Sequence, residues 1–437
     1  MSRRVVTAWP TAWHAWLVWS LGALFFTYAF FQRVAPSVMI DPLMRDLGVG
    51  AAVLGNLSAF YFYAYAGLQF PVGMMHDRWG PRRVLTLAAL VAAGGSLLCA
   101  MAETVNAIYL GRLMIGAGAA FGFVGSLKLA GAWFPPNRFT FVSGLTMMLG
   151  MLGGILGQAP LALFVEAQGW RPAFSGAALA GVLLAVGTWI IVRDRPGAAP
   201  ETAHKDSPAP QGPPAISIWA GLRRVLSQPG NWVLALIGAT MTAPMLAFAG
   251  LWGVAWLMQT HGLARAEAAA STSLLMIGWA VGAPAWGALA DATGRRRLLL
   301  IAATSGGLAA LCALLYLPGL PSLATSALFF GTGLCLGAMV ISFTLARETN
   351  PVAIVGTALA FVNMAVTSTG ALFQPVIGLL LDARWDGMLS DGARVYSEAA
   401  YREALSVLPV SVAHGLVAWL VLRRARLRKP AQGDVRG

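Results

Sequence analysis

Apolar residues occupy this chain in long blocks separated by short polar breaks. A bilayer core takes about 20 consecutive apolar residues per helix. Windows of that length predict spans near 14–38, 52–74, 84–102, 106–133, 140–164 and 172–192. After a polar stretch they predict six more, near 232–257, 268–290, 298–317, 322–346, 353–381 and 402–422. The pattern therefore predicts an all-α polytopic membrane protein with twelve transmembrane helices in two six-helix halves. The first block is too long for a signal-peptide core, and no small-residue cleavage pattern follows it, so it reads as a span.

The polar stretch 193–231 is rich in Pro, Gly and Ala with scattered charges, and it reads as a linker. The domains expected are a six-helix bundle over 1–192, a cytoplasmic linker over 193–231, and a second bundle with a basic cytoplasmic tail over 232–437. Late in the linker, from Ile216 to Leu226, Trp219 and Leu222 share a face with Arg223 and Arg224 nearby. That pattern fits a short interfacial helix or an ordered loop helix.

Composition agrees. Hydrophobic residues make up 58% of the chain and charged residues 11%, against about 25% charged in soluble domains. The 50 glycines suit closely packed membrane helices. A net charge of +13 in a soluble chain would point to an acidic partner. Here the bases concentrate in the loops of one side, and nucleic acid is not an expected partner. Only three of the 30 bases are Lys, which fits a GC-rich bacterial genome. Cys99, Cys312 and Cys335 lie in apolar spans without a CxxC pair, so no metal site or disulfide framework is expected. There is no nucleophile–base set and no phosphate loop with its lysine. An enzyme is not expected, nor a cofactor.

Charge sets the orientation. With the N-terminus inside, 21 of the 30 bases fall in inside loops and tails and seven at outside loops and helix ends, Arg112 among them. Arg33 and Lys128 remain within spans. The bias predicts both termini in the cytoplasm.

One loop occurs twice. The first copy reads Gly73-Met-Met-His-Asp77-Arg78-Trp-Gly80-Pro-Arg82-Arg83, and the second reads Gly287-Ala-Leu-Ala-Asp291-Ala-Thr-Gly294-Arg-Arg296-Arg297. Gly, Asp, Gly and Arg recur 214 residues apart, each copy following the second or eighth span. Internal duplication on this scale is the architecture of secondary transporters. Gly73 is expected to let two helices approach closely, and Gly80 to allow a tight turn. Asp77 is expected to face a neighbouring helix N-terminus and a nearby Arg.

With its two copies, central linker and span count, the chain resembles the major facilitator superfamily over its whole length. The resemblance implies a monomer and an alternating-access transporter. It implies a gating role for Gly73, Asp77, Arg78, Gly80 and Arg82, with Asp77 holding the outward-facing state closed at the cytoplasmic side. Asp291 and Gly294 repeat the device, weakened by Ala292 where the first copy has Arg78. Arg112, which opens span four in Arg112-Leu-Met-Ile-Gly116, matches the family's second motif. The run Gly150-Met-Leu-Gly153-Gly154 to Pro160 resembles an exporter motif but lacks its Gly-Pro pair, and plain helix packing explains it.

No carboxylate falls in the middle of a span. Ionisable residues within spans default to function, which singles out Arg33 and Lys128 and points to an anionic substrate. Arg33 in Tyr28-Ala-Phe-Phe-Gln-Arg33 resembles the first-helix arginine of the superfamily's organic-anion and sugar-phosphate branches. Those phosphate exchangers carry a second arginine in helix seven, absent here, and a lysine where this chain has Gln69. A carboxylate monoanion is therefore expected rather than a phosphate. Lys128 is a second cation for the cavity or a snorkelling side chain. Tyr65 and Gln69 share a helix face and could line the pathway or simply pack, and Asn363 and Gln374 are candidates for interhelical hydrogen bonds or substrate contacts. Gln158 corresponds to Gln374 in the other half. His414 and the Arg347–Glu348 pair are weaker candidates for coupling and gating. Two other readings stay open from sequence: an efflux protein for a drug-like compound or siderophore, and a non-transporting sensor on the same fold. The location expected is the bacterial cytoplasmic membrane, with lipid as surroundings.

Overall fold

A computed structural model describes residues 12–194, 218–351 and 354–422 of the chain. Among them the only strands form a two-residue antiparallel ladder, Leu389–Ser390 against Ala393–Arg394. Everything else regular is helical. Eleven helices are long and apolar enough to cross a membrane, and the pair Ile40–Leu47 and Ala51–Gly67, bent by 115°, makes twelve when counted as one span. Large apolar side chains such as Leu179, Leu183 and Ile190 stand exposed on the helix Trp170–Ile191. Water would penalise such a face, whereas hydrocarbon solvates it.

Most predicted spans lie within a few residues of a helix. The differences come from backbone breaks. Helix Ala51–Gly67 is followed directly by Gln69–Ala100, which continues through the predicted loop and breaks only at Gly80, φ 77° and ψ 154°. A side chain rarely adopts that φ, and Pro81 then starts the next helical stretch with φ already set and no N–H to satisfy. Gly48, φ 64°, ends the short helix Ile40–Leu47 by donating to the Met44 carbonyl.

Further breaks lie inside spans. Helix Ala12–Val34 passes into a 3₁₀ turn at Ala35–Val38. Helices Val105–Ala119 and Gly122–Trp133 meet at a joint over Ala120 and Phe121. In the span Pro229–His261, residues Pro244–Trp252 form a π-helix in which every residue is buried. Pro244 offers no N–H to the ladder, and the coil widens from there. Of the expected linker, helix Ile218–Leu226 is seen. The side chain of Trp219, most of the linker and the basic tail lie outside the described residues.

Packing divides the chain into two compact units. One comprises Met1–Ala35, Tyr63–Gly157 and Phe164–Ala209, and the other Pro36–Phe62, Gln158–Leu163 and Pro210–Gly437. The second unit thus gathers segments 36–62 and 158–163 of the first half of the sequence together with the helices of the second half.

Candidate functional site

In the first unit the site grows from a proline effect. Pro36 has no N–H, so the carbonyl of Gln32, four residues earlier, has no helical donor. Arg112 supplies one: its Nη1 donates to the Gln32 oxygen at 2.7 Å. Arg112 is fully buried within helix Val105–Ala119. This corrects its assignment to an outer helix end. The Gln32 amide donates to the Tyr28 hydroxyl at 3.0 Å and to the Ser96 hydroxyl. Gln32 Oε1 is buried without a partner.

Arg33 follows, 7% exposed. Its guanidinium carbon lies 4.2 Å from the Phe30 ring centre and 4.9 Å from that of Tyr65. These distances are within cation–π range. Arg33 and Tyr65, both predicted substrate residues, are thus in contact. Asp41 pairs with Arg265 at 3.2 Å. The Gln69 amide, at the start of Gln69–Ala100, donates to the Tyr65 carbonyl near the end of the preceding helix, 3.1 Å away.

Lys128 forms an ion pair with Asp77. Both side chains are substantially exposed, so the pair contributes about 0.2–1 kcal/mol to stability. Arg78 is exposed. The acid at a helix N-terminus is Asp194 rather than Asp77: it accepts from the Arg82 N–H at 2.8 Å. The Arg82 side chain stacks over Trp189 at 4.4 Å and donates to the Trp189 carbonyl. A Cβ on Gly80 would collide with the Asp194 carboxylate, whereas one on Gly73 would meet nothing within 4 Å. The close approach expected at Gly73 is therefore absent here. In the second copy Asp291 accepts from Arg296 at 3.1 Å, and Arg296 also pairs with Glu348. Glu348 thus pairs across helices rather than with its neighbour Arg347. Gly294, φ 65°, ends helix Arg265–Thr293.

In the second unit, two glutamines hold the π-helix. Gln158 donates to the Ala249 carbonyl and Gln374 to that of Leu246, each at 2.8 Å. Trp252 returns a bond to the Gln374 carbonyl at 3.0 Å. A π-helix shifts the hydrogen-bonding ladder, and the two amides meet carbonyls within the shifted stretch. Both glutamines are fully buried, and Gln374 Oε1 has no partner. Asn363, on the same helix as Gln374 but N-terminal to it, is half-buried, its carbonyl accepting from Thr367 at 2.9 Å.

The same unit contains a clasp. Asp382 closes helix Val355–Ala383 and accepts from the backbone N–H groups of Ala51 and Ala52, at 3.1 and 2.9 Å. It caps the positive end of helix Ala51–Gly67. Arg394 and the Tyr396 hydroxyl also donate to it, at 3.1 and 2.6 Å. Burial pushes the Tyr396 hydroxyl above its ordinary pKa, and the bond to Asp382 adds to the shift. Along the same two helices, Gly55 lies so close to the Gln374 carbonyl that a Cβ there would overlap it.

Sequence reasoning missed Asp194, Tyr396 and the Gln32 carbonyl. Pro36 four residues beyond Gln32 was a usable sign of the last. Nothing local marks the other two, because each acts on a residue more than 100 positions away: Asp194 on Arg82 and Tyr396 on Ala51. His414, on the last span, is exposed and bonds only its own helix at Val410. No group of three or more metal-ligating side chains occurs among the described residues.

Spanning helices with buried guanidinium groups, broken spans and a duplicated acidic loop define a polytopic membrane protein of the transporter class. The chain belongs to the Major Facilitator Superfamily, whose profile matches residues 21–375. It is 28% identical to a probable sulfoacetate transporter of Cupriavidus necator over 35% of each chain, so that match spans about a third of the relative's length. It is 24% identical to a gallate transporter of Pseudomonas putida over 84% of this chain and 86% of the relative. Its fold matches a bacterial homologue of the human lysosomal transporter Spinster, with a TM-score of 0.78, 17% identity, and coverage of 96% and 98%.

Proposed function

We propose that the protein is a secondary active transporter that moves a small carboxylate-type organic anion across the bacterial cytoplasmic membrane by alternating access. The observation that carries this reading is the setting of Arg33. Its buried guanidinium lies against the rings of Phe30 and Tyr65. Ring faces hold such a group in a fixed plane, and the planar fork of a guanidinium matches a carboxylate. Sulfoacetate and gallate, named for two relatives, both carry a carboxylate.

In this reading Arg33 grips the anionic head, with Tyr65 and Gln69 beside it. Lys128 serves the gate at Asp77 more than the substrate. The Asp77 and Asp291 loops face the cytoplasm with both termini, and the clasp of Asp382 on Ala51 and Ala52 closes the external end. The protein works as a monomer whose halves, 1–192 and 232–437, rock about the pathway.

A thermal-shift screen of purified protein tests the substrate class. The panel holds gallate, sulfoacetate, sugar acids, phosphate esters, amino acids and peptides. A ligand at a hundredfold its Kd adds about 2.7 kcal/mol to stability, enough for a shift of several degrees. The expected hit is a carboxylate whose methyl ester gives no shift. Stabilisation by a neutral or cationic compound, with none by any acid, contradicts the reading.

A further inference from the structure

The amphipathic stretch late in the linker has no part in the transport reading, yet the fold builds it firmly into the second unit. Helix Ile218–Leu226 lies immediately before the span Pro229–His261. Gly221 and Val225 are buried, and a Cβ on Gly221 would stand 3.3 Å from the Thr357 hydroxyl of helix Val355–Ala383. At about 3.6 residues per turn, Leu226, Arg223, Ala220 and Arg224 follow one another around the opposite face. All four are exposed.

The first turn of the span holds the end of this helix. The Asn231 amide donates to the Val225 carbonyl at 3.1 Å, and the Trp232 indole N–H to the Leu226 carbonyl at 2.9 Å. The Ser227 hydroxyl donates to the Arg224 carbonyl at 3.0 Å. Asn231 also exchanges hydrogen bonds with Asn350, just past helix Val340–Thr349, at 3.1 and 2.8 Å. Basic side chains often bond the last carbonyls of a helix, but here other donors occupy them. The guanidinium groups of Arg223 and Arg224 are left for an outside partner, and neither has an ion pair among the described residues.

Beside the arginines the surface turns apolar. Leu226 and Trp232 are exposed, and so is Leu236, one turn further into the span. The Trp232 ring is fixed edge-on to Phe361 at 5.0 Å. Tryptophan favours the headgroup level of a bilayer, with its polar edge bonded and its ring in the apolar boundary. Water would penalise the apolar column that continues from it, whereas an acyl chain covers it. A phosphodiester at the same level meets two guanidinium groups, which suit phosphate oxygens. The linker's own acids, Glu201 and Asp206, could neutralise the arginines but bring no hydrocarbon for Trp232 and Leu236.

We infer that helix Ile218–Leu226 and the first turns of the span Pro229–His261 form a docking site for an anionic phospholipid. Its headgroup phosphate lies on Arg223 and Arg224, and an acyl chain runs along Leu226, Trp232 and Leu236. The inference does not depend on which solute the protein moves.

The test uses the full chain in phosphatidylcholine nanodiscs, carrying Cys99→Ala, Cys312→Ala and Cys335→Ala and a fluorophore on Ala220→Cys. Phosphatidylglycerol or phosphatidylcholine with a nitroxide near the top of one acyl chain is added in increasing mole fraction as quencher. The expected result is saturable quenching by the phosphatidylglycerol at mole fractions where the phosphatidylcholine quenches weakly. Arg223→Gln with Arg224→Gln should weaken that binding at least about tenfold and leave the melting temperature in phosphatidylcholine unchanged. Arg83→Gln with Arg138→Gln removes the same charge from exposed positions of the first unit, and should leave the quenching at wild-type strength. Equal quenching by the two lipids in the wild-type background, or as large a loss in the Arg83 and Arg138 variant, overturns the inference. So does quenching by the anionic lipid that emerges only with Glu201→Gln and Asp206→Asn, since the linker would then be the occupant.

Discussion

Arg112 donates from Nη1 to the carbonyl oxygen of Gln32 at 2.7 Å, one residue before Arg33. A buried cation thus completes the helical bond that Pro36 cannot make. It fixes the last turn of the first span, and with it the backbone that carries Arg33. Arg112 is a positioning residue in this account. Arg112→Leu leaves the Gln32 carbonyl buried and unbonded, at a cost of about 1–3 kcal/mol. The melting temperature should fall, and the ligand-induced thermal shift should shrink by more than the lost stability explains. Arg112→Lys should recover part of both.

Asp382 receives four donors: two backbone N–H groups, Arg394 and Tyr396. Hydrogen bonds to a charged group contribute about 1.5–3 kcal/mol each. Asp382→Asn should therefore free the N-terminus of helix Ala51–Gly67. Labelling of Ala52→Cys by an impermeant maleimide is expected to accelerate at least about tenfold, which corresponds to 1.4 kcal/mol. Tyr396→Phe should give a smaller acceleration. Equal labelling rates in all three proteins would remove the clasp from the account.

The same tyrosine makes a pH prediction. Its folded pKa is raised, whereas an unfolded tyrosine ionises near about pH 10. Its contribution to stability is thus fully present below about pH 10 and is lost as pH rises through the folded value. The difference in melting temperature between wild type and Tyr396→Phe should stay constant from neutral pH to about 10, then shrink.

Gly80 meets two constraints at once, a φ of 77° and the Asp194 carboxylate. Gly80→Ala should destabilise by about 1–3 kcal/mol for the backbone conformation, plus the overlap. Asp194→Ala in the same chain relieves the overlap and leaves the conformational cost. The double variant should therefore melt higher than the sum of the single losses predicts, a coupling that a double-mutant cycle measures.

Helix count and duplication were legible because they depend on long apolar windows and a spaced motif. Arg33 was legible as a base inside a span, and so was the correspondence of Gln158 with Gln374. The π-helix was not. Its residues, Pro244 to Trp252, are apolar throughout, and periodicity cannot separate an i→i+5 coil from an α-helix. Arg112 was misplaced because a motif at the start of a span looks like a helix end. Only the cap at Thr104, eight positions earlier, shows how far inside it lies. Asp77 was assigned an arginine and a helix terminus, but Lys128 and Asp194 divide those roles. Such choices among similar charges depend on tertiary packing, which local sequence does not encode.

The central claim is that Arg33 binds the carboxylate. Uptake of the best acidic hit into proteoliposomes, measured for wild type, Arg33→Ala and Arg33→Lys, tests it most directly. The account predicts that Arg33→Ala abolishes uptake and that Arg33→Lys does so nearly as fully, because an ammonium cannot reproduce the planar fork. Both variants should retain the wild-type fold and melting behaviour without ligand to within a few degrees. Undiminished uptake in either variant contradicts the account.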